Sequence, residues 1–245
     1  MTTFSQLLAN QLRREPGRPL VTFYDHSTDE RVELSVTTYA NWVAKVASLL
    51  VEEHDLERGA RLRVDLPPHW LGPVFLGAAW TAGLVVTDEE TPDAVVCGPD
   101  TLARWTPHAA ELPVLACSLL PLGVRFREPL PAGVHDVGID VWSQPDSFIP
   151  WDPATGDDAA LSWAGRTTTQ AELWAAAAAG SHLTDGGRLL SEANPASPPG
   201  IASFTEPLAR SGSLVLVAHA APERLETTYA AERATARFPR TVDQD

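Results

Sequence analysis

Seven histidines, two cysteines and one cluster of carboxylates are the side chains of this sequence with the chemistry to catalyse or to hold a metal. The histidines are His26, His54, His69, His108, His135, His182 and His219. No two of them have the spacing of a zinc motif, and none adjoins a cysteine cluster. His69 follows Pro67-Pro68 at the end of a strand-like run, the end at which open sheets place ligands. His69 and the adjacent Trp70 are therefore pocket candidates, and His219, just beyond the apolar run 214–218, is another. Against this, tryptophans on a helix stripe, such as Trp42, are more often core residues. The acidic run 87–93 has carboxylates that can ligate a divalent ion through oxygen, but a solvated loop is the favoured reading, and no metal ligand is assigned. Cys97 and Cys117 lie in apolar contexts and read as buried free thiols. No Gly-x-Ser-x-Gly elbow occurs, and Ser213 reads as the start of a strand.

The elements that must position these residues follow from hydropathy periodicity. Phe4, Leu7, Leu8 and Leu12 predict a first helix, ended by Pro16-Gly17. Residues 20–24 and 31–34 predict a hairpin with a polar loop. Tyr39, Trp42, Val43, Val46, Leu49 and Leu50 form the stripe of an amphipathic helix, capped by Thr37 or Thr38. Residues 61–66 alternate as a half-buried strand does. An apolar helix follows, with Gly83 as its left-handed C-cap, and residues 84–86 form a buried strand. Residues 94–97 and 114–118 predict further strands around a helix at 101–105. Residues 137–141 predict one short strand inside the Pro/Gly/Asp-rich stretch 121–157. Thr169-Gln170-Ala171-Glu172 fits a capping box for an alanine-rich helix that breaks at Gly180. The order of elements predicts an α/β fold with a largely parallel sheet flanked by helices. One domain over residues 1–245 is expected, with any subdivision near 145–157.

Three pieces in order, Thr38-Tyr39-Ala40, Arg58-Gly59-Ala60-Arg61-Leu62 and Ala79-Trp80-Thr81-Ala82-Gly83-Leu84-Val85, resemble the N-terminal portion of the adenylate-forming superfamily. That superfamily holds acyl-CoA synthetases, luciferases and peptide-synthetase adenylation domains. The resemblance continues in Gly187–Ser191 by position, in Pro207 to Leu216 and in Pro222 to Thr235, and is thin from 87 to 156. It implies ATP or AMP with magnesium as ligand, and a Ser/Thr/Gly-rich loop ending in Pro-Lys that wraps the phosphates. The matching positions here are Gly165, Arg166, Thr167, Thr168 and Thr169. One glycine remains, and the second glycine, the proline and the lysine have no counterparts. Arg166 carries a charge in place of the lysine, though a guanidinium fork is not its equivalent. The capping box explains the same residues without phosphate and is the favoured reading. The segment 192–195 lacks the family's aromatic and histidine. The family's later adenine-, acyl- and ribose-binding segments and its catalytic lysine also have no counterpart. Lys45 is the only lysine among 18 Lys and Arg residues, and it lies on the first amphipathic helix.

Losing one electrostatic stabiliser of a transition state costs roughly 10²–10³ in rate, so several losses together predict a protein that does not adenylate by itself. The expectation is a non-catalytic binding or regulatory module, with no catalytic residue assigned. The alternative is a component that binds nucleotide or acyl substrate together with a partner chain. The net charge of -14 argues against nucleic acid and anionic membranes as partners, since both need basic groups. No signal-peptide pattern and no spanning apolar run is seen, so a cytoplasmic protein is expected, self-associating or bound to another protein.

Overall fold

The computed structural model describes residues 2–239. The strands are β1 (Pro19–Asp25), β2 (Glu30–Ser35), β3 (Arg61–Asp65), β4 (Val85–Thr87), β5 (Ala94–Cys97), β6 (Val114–Ala116), β7 (Val134–Asp136), β8 (Ala159–Trp163), β9 (Arg166–Thr169), β10 (Arg188–Ser191), β11 (Ser213–Ala218) and β12 (Ala236–Phe238). The helices are α1 (Phe4–Arg14), α2 (Val36–Ser48), α3 (Leu71–Ala82), α4 (Pro99–Trp105), α5 (Val137–Asp140), α6 (Gln170–Ala178), α7 (Ile201–Ala209) and α8 (Pro222–Ala231).

The fold is α/β and largely parallel, as expected, but the strands divide between two sheets. One has the order β12-β10-β11-β1-β2 and the other β7-β6-β5-β3-β4-β8-β9. Only the hairpins β1–β2 and β8–β9 are antiparallel. The division follows from a long-range pairing. β1 lies parallel to β11, with Val21 opposite Leu214 and Phe23 opposite Leu216, so the N-terminal hairpin joins the late strands.

Helices fill the space between the sheets. α2 and α7 pack on the first sheet, α3 and α6 on the second, and α1 touches α2, α3 and α7. One apolar core runs through this middle layer from Val21 and Leu216 to Leu62 and Val86. A helix in such a layer must be apolar all round, and nearly every residue of α3 is buried. Gly77 lets it approach its neighbours, because a Cβ there would fall 2.3 Å from the Tyr39 hydroxyl and 2.7 Å from Phe4. That hydroxyl donates to the Pro73 carbonyl at 2.8 Å. Strand alternation serves the outer faces too. Val215 and Val217 meet Leu225 and Tyr229 of α8, and Val95 and Val114 meet Trp105 of α4.

Two local expectations are corrected. The cap of α2 is Ser35, whose hydroxyl accepts from the Thr38 amide, and the helix begins at Val36 rather than after Thr37 or Thr38. Residues 137–141 are helical rather than a strand, because the Asp136 carboxylate caps the Gly138 amide and starts a turn there. Cys97 and Cys117 are buried and free, and burial pushes the Cys97 thiol up to about 12. Among the described residues, no helix is long and apolar enough to cross a membrane.

Candidate functional site

The residues matched to the phosphate loop form the tip of a hairpin. β8 and β9 pair antiparallel, Trp163 opposite Arg166, so only Ala164 and Gly165 lie between them. Both have positive φ, 50° and 74°, the geometry of a two-residue hairpin turn. Gly165 suits it, since a glycine adopts that region without strain. The Ala164 amide is taken up by a carboxylate, donating to the two Asp88 oxygens at 3.2 and 3.0 Å. Thr167 and Thr168 are strand residues, Thr168 opposite Leu161. Thr169 caps α6 as the spacing predicts. Its hydroxyl accepts from the Glu172 amide at 3.2 Å, and its own amide donates to the Glu172 carboxylate at 2.9 Å. Those bonds, more than the field of Arg166, lower the Glu172 pKa. At the tip of this tight turn the Ala164 amide faces an anion of the protein's own, Asp88.

Asp88 belongs to the acidic run 87–93, a loop whose Glu89, Glu90 and Asp93 carboxylates are exposed to solvent and ion-paired. Its carboxylates answer arginines on the outer face of the second sheet. Arg61 binds Glu89 and Asp93, Arg63 and Arg104 bind Glu90, and both of these guanidinium groups lie over the Trp105 ring. Among the described residues no group of three or more His, Cys, Asp or Glu side chains is placed to hold a metal.

His69 and Trp70 lie at the end of β3, at the seam between the two sheets. His69 is 4% exposed and Trp70 1%. The His69 ring meets Phe23 of β1 edge-on at 4.9 Å, and Trp70 meets Trp42 of α2 in the same way at 5.0 Å. Nearby, the Asn194 side chain donates to the Leu66 carbonyl at 2.7 Å, a second tie across the seam. His69 Nδ1 accepts from the Leu71 amide at 3.3 Å, which puts the proton of a neutral ring on Nε2. Burial holds the His69 pKa down to about 3, against an ordinary 6.5. Neither His69 Nε2 nor Trp70 Nε1 has a hydrogen-bond partner. Neither side chain lines the cavities described below. The pair wedges two layers together.

His219 has the opposite surroundings. It is exposed, at φ 55°, and its Nδ1 lies 3.0 Å from Asp25 Oδ1 at the end of β1. Asp25 also accepts from the Ser27 amide at 2.8 Å and hydroxyl at 2.6 Å. Burial works against the charge of Asp25, but the Ser27 bonds and His219 outweigh it and hold its pKa below the carboxylate range. The Asp–His pair has the geometry that orients a general base. The serine hydroxyl, however, bonds to Asp25 and not to the imidazole. The turn at 164–165 is on the other sheet, and no hydrogen bond or ring contact joins it to His69, Trp70 or His219 among the described residues. The turn thus lies apart from the histidines, while the Asp25 carboxylate that binds His219 also acts on the buried His69 through its charge.

Two concavities lie elsewhere, along a strap at residues 144–158 that the sequence suggests only as a connection. Lys45 fixes one end, binding the Gln144 carbonyl and, at 3.1 Å, Asp146. Arg58 fixes the other, bound to Asp152 at 2.6 Å and Asp158 at 2.7 Å. Between them Phe148 packs on the core. A groove of about 580 Å³ opens between the strap, α1 and α2, and a cavity of about 420 Å³ lies near Leu56, Ala82 and Trp151. The spacing Pro145, Pro150, Pro153 around Phe148, Ile149 and Trp151 is the signal in the sequence that bulky apolar side chains sit on a stiff, strand-free segment.

No protein-family model matches the chain. A TIGR03089 family protein of Mycobacterium tuberculosis is 35% identical over 244 residues, which is 96% of this chain and 97% of the relative. Among solved structures, the acyl-CoA synthetase of Brucella canis superposes with a TM-score of 0.80 at 16% identity over 96% of this chain and 47% of that one. Coronafacic acid ligase of Pectobacterium brasiliense gives 0.76 at 15% identity, over 96% and 49%. The N-terminal domain of FACL13 from Mycobacterium tuberculosis gives 0.72 at 14% identity, over 96% and 62%. The chain spans about half the length of the synthetase and the ligase, and the likeness shows the fold.

Proposed function

The chain belongs to the TIGR03089 family, and from that premise we propose that it is a non-catalytic binding module with the fold of the N-terminal half of acyl-CoA synthetases. In this reading the frame of a synthetase persists and its phosphate-binding function does not. The observation that carries the reading lies inside the chain, at the end of β8. The loop that the family resemblance implies is reduced to Ala164-Gly165, and the Asp88 carboxylate occupies the Ala164 amide. A phosphate brought there meets a like charge where a phosphate loop offers donors. The only lysine supports the same view, since Lys45 is engaged with Gln144 and Asp146 in holding the strap. What the module binds in place of nucleotide is a protein surface.

Equilibrium dialysis of the full chain against ATP–Mg²⁺ and AMP, with an assay for pyrophosphate release on adding fatty acids, tests this. The expected result is no retained nucleotide and no pyrophosphate. Pyrophosphate released above the no-enzyme rate would show a working adenylation site and end the proposal. A second reading, a component that completes an adenylating site with a partner chain, draws on Arg166, an exposed guanidinium at the turn. Nucleotide retained by the chain and lost in Arg166→Ala is the outcome that selects it.

A further inference from the structure

Trp151 is the most exposed large apolar side chain among the described residues, at 98%. Scattered surface leucines need no explanation, whereas an indole held almost wholly in solvent does. Trp151 does not stand on a bare apolar surface. It lines the cavity of about 420 Å³, whose wall also carries the carboxylates of Glu52, Asp55, Glu57 and Asp152. One cation of that wall, Arg58, answers them, and it is bound to Asp152 and to Asp158 outside the cavity. Glu52, Asp55 and Glu57 are exposed, and among the described residues none of the three has a salt bridge or a side-chain hydrogen bond. The acidic run 87–93 differs in this, since Glu89, Glu90 and Asp93 each have an arginine.

We propose that this face docks a basic segment of a partner protein, with an arginine or lysine side chain laid across the Trp151 indole and its charge met by Glu52, Asp55 and Glu57. Charge complementarity selects the occupant. The cavity wall holds four carboxylates against one guanidinium, so its surplus is negative. An indole face attracts a cation through its quadrupole, more strongly than the other aromatic side chains do. Leu56 and Phe148 give the cavity an apolar floor. The aliphatic stem of an arginine or lysine packs on such a floor while its head stays at a polar rim. A second copy of this chain, at net charge -14, brings like charge to the same carboxylates, and so does a nucleic acid or an anionic membrane. The backbone that carries Trp151 is held on both sides before any partner arrives, by Lys45 on Asp146 and by Arg58 on Asp152 and Asp158. Such preorganisation lowers the entropy cost of binding.

The inference rests on the module reading of the preceding section and adds the chemistry of the partner. Its test involves no nucleotide, so its failure and the failure of that reading are distinguishable. Fluorescence anisotropy of a dye-labelled hexa-arginine peptide, titrated with the full chain at physiological salt, is expected to show binding. Trp151→Ala is expected to weaken it by ~10-fold or more, the size of a desolvated cation–π contact. Trp151→Leu keeps an apolar side chain without the π face and is expected to lose a similar factor. The triple variant Glu52→Gln, Asp55→Asn, Glu57→Gln is expected to weaken binding as well. Asparagine is chosen at Asp55 because it tolerates the positive φ of 52° there. A control variant, Glu111→Gln, Glu192→Gln, Glu223→Gln, removes the same charge from exposed positions on other elements and is expected to leave the affinity unchanged. Far-UV circular dichroism and the unfolding midpoint confirm that each variant is folded. A wild-type chain that leaves the peptide free overturns the proposal, and so does a Trp151 variant that binds as the wild type does. Equal losses in the two triple variants overturn it too, since they mark general attraction to an acidic protein. Arginine methyl ester that binds as tightly as the peptide would give the site to a small cation instead. A two-chain mass in sedimentation velocity, lost in Trp151→Ala, would give the face to a second copy, and either result overturns the proposal.

Discussion

β3 and β8 run parallel in one sheet with β4 alone between them, and their C-terminal ends have opposite fates. The end of β3 turns inward. Leu66 to Trp70 enter the seam between the sheets, where Asn194 binds the Leu66 carbonyl, Phe23 meets His69 and Trp42 meets Trp70. The end of β8 turns outward into a two-residue hairpin at the surface, tied down by Asp88 and by the Thr169 cap. Both are strand ends at which an α/β sheet can hold a ligand. One has become packing and the other a minimal turn. A strand end is thus a location for chemistry, and its neighbours decide whether any chemistry is there.

Substitutions at the two ends should differ accordingly. Trp70→Ala removes a side chain buried against Trp42, and an expected loss of about 3–5 kcal/mol should appear in denaturant unfolding. His69 gives the same seam an acid sensitivity. Its folded pKa is held down to about 3 from 6.5 by burial. The unfolded chain therefore binds a proton that the folded chain refuses. Stability is full above about 6.5 and falls as pH drops towards 3, by on the order of 3 kcal/mol at about pH 4. His69→Gln should flatten this part of the stability–pH curve while lowering stability at neutral pH, and an unchanged slope would remove His69 from the account. At the other end the effects are small. Thr169→Ala deletes the cap of α6 and should cost about 1 kcal/mol. Arg166→Ala should change stability by no more than ~0.5 kcal/mol, as at an exposed position outside any packed or capped feature. A large loss at Arg166 would mean that the turn is braced in a way the geometry lacks.

Local patterns carried much of the fold. The stripe of α2 placed Tyr39, Val43 and Val46 in the core, Gly83 takes the left-handed C-cap, and the capping box of α6 forms at Thr169 and Glu172. These depend on residues within a turn or two of each other. Where several neighbours compete the pattern blurs, as with Ser35, Thr37 and Thr38 at one helix start. The second sheet could not be seen, because it rests on β1 finding β11 some 190 residues later. The same limit applies to the site. His69 and His219 each follow the end of a strand, one alternating and one wholly apolar, and both stand as pocket candidates in the sequence. Phe23 buries the first, and Asp25 holds the second at the surface, both from distant parts of the chain. The departure of 165–169 from the phosphate-loop pattern was legible, since the missing glycine, proline and lysine are local. Asp88 as the partner of the turn was not. Nor was the role of Lys45, which depends on where residues 144–146 cross α2.

The measurement that bears most directly on the account is the thermal unfolding midpoint of the full chain with and without ATP–Mg²⁺ at millimolar concentration. A ligand at 100 times its dissociation constant adds ~2.7 kcal/mol to stability, which raises the midpoint of a domain of this size by ~5–10 °C. The account predicts an unchanged midpoint, because the end of β8 is a closed turn facing a carboxylate. A shift of that size, abolished in Arg166→Ala, would contradict it and return the end of β8 to the binding of phosphate.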